Sequence, residues 1–225
     1  MEPIRIFYFS DIPCVWAYIS QIRLNELKAT FQDKVTLDYH FVSVFGVTRE
    51  KLESQWRDRN GLQGYSQHIQ EVVKKFDHVK VHPHIWTDVV PPSSTSCHLF
   101  AHAVKLLETK NIVPPSERLF EKTVWALREA FFTQLANVAD RGVQFAIAKQ
   151  LGLPVDAIRE QIDSGEAYAQ LSQDFDLSKE HSVTVSPTLL FNEGRQRLNG
   201  NVGYRVMEAN IRELLENPPG EHSWC

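Results

Sequence analysis

The sequence contains little cysteine: three residues, Cys14, Cys97 and Cys225, occur among 225, and no two are spaced as C-x-x-C. A fold held together by disulfides is therefore excluded. The sequence also lacks a run of about 18 apolar residues that could span a bilayer. The basic, apolar and small-residue regions of a secretory signal are missing after Met1. We therefore expect a cytoplasmic protein in a reducing compartment, with no membrane partner.

Positive charge is scarce as well. The chain has 24 Lys and Arg against 28 Asp and Glu, a formal net charge of -4, and no basic stripe interleaved with aromatic residues. Nucleic acid is therefore disfavoured as a partner. The apolar fraction of 43% and the charged fraction of 23% are typical of globular chains that bury a core. The length indicates one domain with a large insertion, or two closely joined domains.

The first 44 residues have the pattern of a strand, a helix and a strand. Residues 4–9 (IRIFYF) are almost all apolar and predict a central strand. Residues 14–30 predict a helix with Val15, Ile19 and Ile22 on its apolar face. The alternation over residues 35–44 predicts a second strand. The three elements form a βαβ unit with a right-handed crossover.

The last 45 residues have a different order. Residues 188–192 and 195–199 flank a short turn that contains glycine, which predicts a β-hairpin. A helix follows, and its Val206, Ile211 and Leu214 are expected to face the sheet. Between the two ends the strand pattern disappears, and helices are predicted at residues 65–76, 94–110, 117–138, 141–151, 155–163 and 166–179.

These patterns predict an α/β fold with a large all-helical insertion. Residues 1–44 and 181–225 would form one discontinuous domain. Residues 45–180 would form the inserted helical domain.

Cys14 is the candidate nucleophile. It follows the first strand and stands at the start of a helix, in the segment Ser10-Asp11-Ile12-Pro13-Cys14. A helix N-terminus carries partial positive charge and free N–H groups, both of which favour a thiolate, so a pKa below the usual value of about 8.5 is expected. The alternative is a buried core cysteine, which is common in proteins.

A second segment, Val185-Ser186-Pro187-Thr188, places a proline just before an apolar strand. Proline cannot donate to a strand ladder, so it fits the first residue of a strand, and an X-Pro bond there can be cis. A cis bond would expose the backbone of Ser186 to a bound extended substrate.

Together these segments resemble a known family. The pattern S-D-x-x-C-x-W-x-Y, a helical insertion, V-S-P-T and a final G-N-x-G-Y-R is similar to the DsbA-like thioredoxin family. The resemblance is to its cytosolic branch, which is also similar to 2-hydroxychromene-2-carboxylate isomerases and kappa-class glutathione transferases. It implies a thioredoxin-like domain around the insertion.

The resemblance also implies roles for particular residues. Cys14 matches the nucleophile and Pro187 the cis-proline, and the residues expected to contact substrate are Ser10, Asp11, Trp16, Tyr18, Val185 and Ser186. The four residues that match the glutathione-binding segment of relatives are Gly200, Asn201, Val202 and Gly203. A helix start with free N–H groups suits a carboxylate, although these glycines could equally form a simple turn.

The sequence departs from the family pattern at Ala17, where a dithiol enzyme has its second cysteine. A mixed disulfide at Cys14 then has no neighbouring thiol to release it, which indicates glutathione or another small thiol as the external partner. His98 and His102, one helical turn apart, lack further ligands at a suitable spacing, and no metal is expected.

Three hypotheses stay open at this point. The first is a cytosolic, glutathione-linked thiol oxidoreductase acting on a small thiol, disulfide or electrophile. The second is a glutathione transferase or isomerase, in which the site residue activates glutathione. The third is a non-catalytic thioredoxin-like binding or chaperone-type module. A homodimer is an expectation from the family alone.

Overall fold

In the computed structural model, which describes residues 2–216, four strands form one mixed sheet in the order β2–β1–β3–β4. The strands are β1 (Ile4–Ser10), β2 (Val35–Phe41), β3 (Thr188–Phe191) and β4 (Gln196–Asn199). β1 is parallel to β2 and antiparallel to β3, and β3 is antiparallel to β4. Because β1 is paired on both sides, the residues that follow it are held at a fixed place in the sheet.

Helix α1 (Val15–Phe31) connects the parallel strands β1 and β2, which confirms the predicted βαβ unit. The predicted apolar face of α1 is confirmed at Val15 and Ile19, which are buried, and was wrong at Ile22, which is 48% exposed. Leu24 and Leu27 of the same helix are also buried in the core. Residues two apart on a helix differ by about 200° in direction. Ile22 therefore lies opposite Leu24, and the prediction for its face was wrong.

The hairpin β3–β4 and helix α9 (Tyr204–Glu216) complete the βαβ…ββα order that the sequence predicts. Val206 was assigned to the wrong face of α9: it is 47% exposed, whereas Met207 and Ile211 are fully buried. One position along a helix changes direction by about 100°, which is enough to exchange a core residue for a surface residue.

Between β2 and β3 the described chain contains helices and short 3-10 turns and contributes no strand to the sheet. The helices are α2 (Thr48–Gln55), α3 (Gly61–Val73), α4 (Thr95–Thr109), α5 (Leu119–Gln134), α6 (Arg141–Gln150), α7 (Val155–Asp163) and α8 (Glu166–Glu180). Helix α2 was not predicted, because its sequence TREKLESQ offers one large apolar residue, Leu52, to a helical pattern.

The insertion packs against the sheet. Helix α4 is its centre and contacts α5, α7 and α8, while α8 also contacts β2. One continuous buried cluster contains Ile6 and Tyr8 of β1 together with Phe100 of α4 and Phe131 of α5. The insertion can therefore position side chains at the end of β1.

No helix within residues 2–216 combines the length and the apolar character needed to cross a bilayer.

Candidate active site

Cys14 occupies the N-cap position of α1, at the carboxyl end of β1. Its backbone is extended, with φ -79° and ψ 117°. Its N–H donates to the Asp11 carbonyl oxygen at 3.2 Å, and its carbonyl oxygen accepts the Tyr18 N–H at 3.1 Å. The residue is 6% exposed. The thiol is thus fixed at the start of a helix, with a small fraction of its surface open to solvent.

The Ser186–Pro187 segment lies directly against this thiol. The peptide bond between Ser186 and Pro187 is cis. The Cys14 thiol donates to the Ser186 carbonyl oxygen at 3.2 Å. The Ser186 hydroxyl accepts the Asp11 N–H at 2.8 Å. Two segments about 170 residues apart in sequence therefore meet at one point, and the structure brings Asp11, Cys14, Ser186 and Pro187 together.

The predicted direction of the Cys14 pKa was wrong. Burial raises the pKa of the Cys14 thiol, and the negative charge of Asp11 raises it further. Hydrogen bonding from Ser186 and from the Ala17 and Trp16 amides lowers the pKa, as a helix start should, but does not offset the loss of hydration. In this structure the thiol form is favoured.

Asp11 holds the loop after β1 to the insertion. Its side chain is fully buried, and its Oδ2 accepts the Phe45 N–H at 2.7 Å and the Ser94 hydroxyl at 3.1 Å. Its Oδ1 lies 2.9 Å from His98 Nε2, and the same nitrogen lies 3.3 Å from the Ile12 amide. A ring nitrogen either donates or accepts, and the shorter contact to a carboxylate favours a proton on Nε2.

His98, one of the two histidines spaced one helical turn apart, has a protein partner. It is a buried partner of Asp11, whereas His102 donates from Nε2 toward Asp174 Oδ2 at 2.7 Å. The two imidazoles thus bind different carboxylates. Within residues 2–216, no cluster of three or more His, Cys, Asp or Glu side chains is arranged to hold a metal ion.

Trp16 and Tyr18, both expected to contact substrate, differ in their surroundings. Trp16 is partly buried and meets the Phe76 ring edge-on at 6.3 Å. Tyr18 is 3% exposed and stacks on Phe132 at 4.8 Å, with Trp125 at 5.1 Å. Tyr18 therefore anchors α1 to α5 and presents almost no surface to a substrate, which corrects the expectation for this residue.

Ser10 was also expected to contact substrate, but its side chain is buried and bonded within the protein. It is 1% exposed, and its hydroxyl accepts from Arg128 Nη2 at 3.0 Å. Arg128 is fully buried and also donates to Gln21 Oε1 at 2.9 Å. Sequence reasoning did not identify Arg128, because nothing in its local pattern distinguishes it from a surface arginine. Val185, by contrast, is 40% exposed beside the cis bond and is available to a substrate.

The predicted glutathione segment is attached to the cis-proline. Gly200 has φ +78° and donates its N–H to the Pro187 carbonyl oxygen at 2.7 Å. The Val202 N–H donates to the Gly200 carbonyl oxygen at 3.0 Å. Both amides are therefore engaged within the chain and are not offered to an anion in this structure.

The second half of that segment leads into α9. The Asn201 amide oxygen accepts a hydrogen bond from the Arg23 guanidinium of α1. The Gly203 carbonyl oxygen accepts the Val206 N–H at 3.1 Å, so the helix starts immediately after Gly203. A guanidinium and a helix N-terminus thus meet at Asn201, and both favour an anionic group.

Within residues 2–216, no thiol occupies the position of the resolving cysteine. Ala17, at the position of a second cysteine, is fully buried. Cys97 is also fully buried on α4, and its thiol donates to the Ser94 carbonyl oxygen at 3.0 Å. Cys14 and Cys97 are both free thiols. Cys225 lies outside the described residues.

The family of DSBA-like thioredoxin domains matches residues 5–212. No curated protein sequence matches the chain. Several solved structures share its fold. A proposed protein disulfide isomerase from Nitrosomonas europaea is 16% identical, with a TM-score of 0.74 over 96% of this chain and 98% of that one.

Two further similarities concern named enzymes. The cytosolic disulfide reductase DsbM from Pseudomonas aeruginosa is 16% identical, with a TM-score of 0.66 over 93% of this chain and 100% of that one. Its structure with GSH has a TM-score of 0.65 at 14% identity, over 95% and 98% of the two chains. A 2-hydroxychromene-2-carboxylate isomerase is 11% identical, with a TM-score of 0.63 over 94% and 96%. At these identities the likeness is one of fold.

Proposed function

This chain belongs to the DSBA-like thioredoxin domain family, and on that basis we propose that it is a cytoplasmic thiol–disulfide oxidoreductase with one nucleophilic cysteine, Cys14. Glutathione would serve as the external thiol. One observation supports the proposal most strongly: the Cys14 sulfur lies 3.2 Å from the carbonyl oxygen of Ser186, beside the cis bond to Pro187. A disulfide aligned along that backbone would present a sulfur atom to Cys14.

The reaction has two exchange steps. The Cys14 thiolate attacks one sulfur of a disulfide R–S–S–R′, the S–S bond breaks, and R′–S⁻ leaves and takes up the proton that Cys14 has lost. Glutathione thiolate then attacks the mixed disulfide Cys14–S–S–R and forms GS–SR, which returns Cys14 to its reduced form. Each step exchanges one S–S bond for another, so no further oxidant is needed.

Ala17 is the reason to assign the second step to an external thiol. No cysteine follows Cys14 by three residues, and the thiol of Cys97 on α4 donates to the carbonyl oxygen of Ser94, just before that helix. The reductase DsbM, which shares the fold, has a structure with GSH. In this chain the Arg23–Asn201 pair at the start of α9 is the candidate contact for the glutathione carboxylates.

A transferase or isomerase is the second candidate, and a specific observation favours it. The Cys14 thiol is protonated in its buried setting and donates a hydrogen bond, whereas a nucleophile must lose its proton. A thiol that donates could instead stabilise a glutathione thiolate held beside it. The fold shared with 2-hydroxychromene-2-carboxylate isomerase is compatible with this role.

Intact-protein mass spectrometry and turnover together test the proposal. In a Cys97→Ala/Cys225→Ala protein, glutathione disulfide should form an adduct at Cys14. Glutathione-dependent reduction of 2-hydroxyethyl disulfide should then be lost in Cys14→Ser. If Cys14→Ser instead retains transfer of glutathione to chlorodinitrobenzene, in which the thiolate displaces chloride, the transferase hypothesis replaces the first. If the protein forms no glutathione adduct, reduces no disulfide and transfers no glutathione, both enzymatic hypotheses are contradicted. The non-catalytic binding module then remains.

A further inference from the structure

Two polar side chains of the insertion, those of Lys51 and Tyr65, lie close to Phe45, which contacts the active-site loop. Lys51 of α2 donates from Nζ to the Val44 carbonyl oxygen at 2.5 Å, and its ammonium lies 5.3 Å from the centre of the Phe45 ring. The Phe45 N–H in turn donates to Asp11 Oδ2 at 2.7 Å. Lys51 is therefore connected to the active-site loop through Phe45, and its side chain is only partly buried.

Tyr65 of α3 packs in the same place. Its ring lies 6.4 Å from Phe45, 5.6 Å from Trp86 and 5.3 Å from Trp56. Trp86 is fully buried, so the Tyr65 ring packs against a part of the core that is held in place. Burial, together with the negative charges of a Cys14 thiolate and of Asp11, raises the pKa of Tyr65 far above its usual value. The hydroxyl therefore stays protonated and can donate at any physiological pH.

Both groups interact electrostatically with the reacting sulfur. The charges of Asp11 and of a Cys14 thiolate act on the Lys51 ammonium and on the Tyr65 hydroxyl. Burial lowers the pKa of Lys51, and these two negative charges raise it again. An ammonium that is partly removed from water is screened less and acts more strongly on a neighbouring anion.

We propose that Lys51 and Tyr65, which both lie at the Phe45 ring next to the active-site loop, form a subsite for negative charge. This subsite binds a carboxylate that a small disulfide or electrophile carries close to its reacting atom. The subsite rests on the proposed role of Cys14 as a nucleophile and does not depend on glutathione. It stabilises the Cys14 thiolate before attack and holds the anionic substituent during it. The insertion, rather than the thioredoxin-like part, would then set substrate preference.

Paired reagents of different charge test the subsite. In the Cys97→Ala/Cys225→Ala protein, the rate of Cys14 alkylation is measured with iodoacetate, which carries a carboxylate, and with iodoacetamide, which is neutral. Lys51→Met should lower the iodoacetate-to-iodoacetamide rate ratio on the order of threefold or more. Lys51→Arg should preserve the ratio, Tyr65→Phe should lower it less, and added salt should reduce the preference in the starting protein.

Lys74→Met is the matched control, because Lys74 is an exposed residue directly after α3 that pairs with Glu71 at the surface. An unchanged ratio in Lys51→Met, or an equal change in Lys74→Met, would overturn the subsite. If Lys51→Met does not fold, Lys51→Gln replaces it with the same expectation. A starting protein whose Cys14 reacts with neither reagent would contradict the nucleophile itself. Normal reactivity with an unchanged ratio contradicts only the subsite.

The same comparison between an anionic and a neutral compound can be made with disulfide substrates, by measuring kcat/KM. Dithiodiglycolate, with a carboxylate one carbon from each sulfur, should be reduced with a higher kcat/KM than neutral 2-hydroxyethyl disulfide. Lys51→Met should remove this preference and leave the rate with the neutral disulfide less affected. Equal losses for both disulfides would show that Lys51 only supports the fold and would overturn the subsite.

Discussion

Asp11 Oδ1 lies 2.9 Å from His98 Nε2, and both side chains are completely excluded from solvent. The pair joins the loop after β1 to helix α4, 87 residues along the chain. A buried carboxylate is costly unless it is fully hydrogen-bonded, and this one receives contacts from the Phe45 amide, the Ser94 hydroxyl and the His98 ring. The loop that carries Cys14 is therefore stabilised by the insertion.

The first prediction concerns His98. His98→Leu keeps most of the side-chain volume but leaves Asp11 Oδ1 without a donor in the interior. We expect the free energy of unfolding to fall by about 2–4 kcal/mol, measured by urea denaturation. The control is His84→Gln, since the His84 side chain is 60% exposed. A loss below the experimental error for His98→Leu would contradict the assignment of a donating Nε2.

The second prediction concerns the reactivity of Cys14. Because the Asp11 charge raises the pKa of the thiol, Asp11→Asn should move the midpoint of Cys14 alkylation by iodoacetamide to lower pH. Asparagine still offers an oxygen to Phe45 and Ser94. Asp176→Asn, at an exposed position on α8, should leave the midpoint unchanged. A shift to higher pH in Asp11→Asn would show that Asp11 acts on Cys14 in some way other than by charge.

The third prediction concerns acid stability. Asp174 accepts hydrogen bonds from the Phe41 N–H, His40 and His102, each at 2.7 Å. Burial alone would raise its pKa, but the hydrogen bonds from His102 and His40 outweigh burial and hold the pKa at about 2. A lowered carboxylate pKa contributes stability that is complete above the unfolded value of about 3.9 and is lost as pH falls through the folded value.

This contribution, about 2–3 kcal/mol, should therefore disappear between about pH 4 and pH 2. Urea midpoints measured across that range should fall steeply in the wild-type chain. They should fall less steeply in Asp174→Asn, which is less stable at neutral pH. Parallel curves for the two proteins would rule out Asp174 as the source of the acid sensitivity.

The fourth prediction distinguishes the two neighbouring residues of α9. Met207 is fully buried, so Met207→Ala should lower the free energy of unfolding by about 2–5 kcal/mol. Val206 is 47% exposed, and Val206→Ala should change it by less than about 0.5 kcal/mol. Thermal or urea unfolding of both variants checks the ordering. A larger loss for Val206→Ala would mean that the helix is rotated from the described position.

The fold could be predicted from sequence where patterns are local and strong. The run of apolar residues in β1 and the glycine-containing turn between β3 and β4 each specify their element within a few residues. Helix faces were predicted less well, because Ile22 and Val206 are apolar residues that the packing leaves at the surface. Helix α2 was missed because Leu52 alone carries its apolar pattern.

The site was predictable only in part. The resemblance to a family led to the expectation that Cys14 and Pro187 act together, and the local sequence placed Cys14 at a helix start. The partners Asp11 and His98 could not be paired from sequence, because their contact depends on how the insertion folds back over β1. The direction of the Cys14 pKa depends on the same burial, so helix-start electrostatics alone predicted it wrongly.

The hydrogen bond from the Cys14 thiol to the Ser186 carbonyl oxygen couples covalent chemistry at Cys14 to the stability of the fold. Any group attached to the sulfur removes the proton that Ser186 accepts, and it must find room where Cys14 is 6% exposed. An adduct that makes no compensating contacts will therefore lower the melting temperature. Thermal unfolding thus becomes a label-free record of which small molecules, once bonded to Cys14, fit the site.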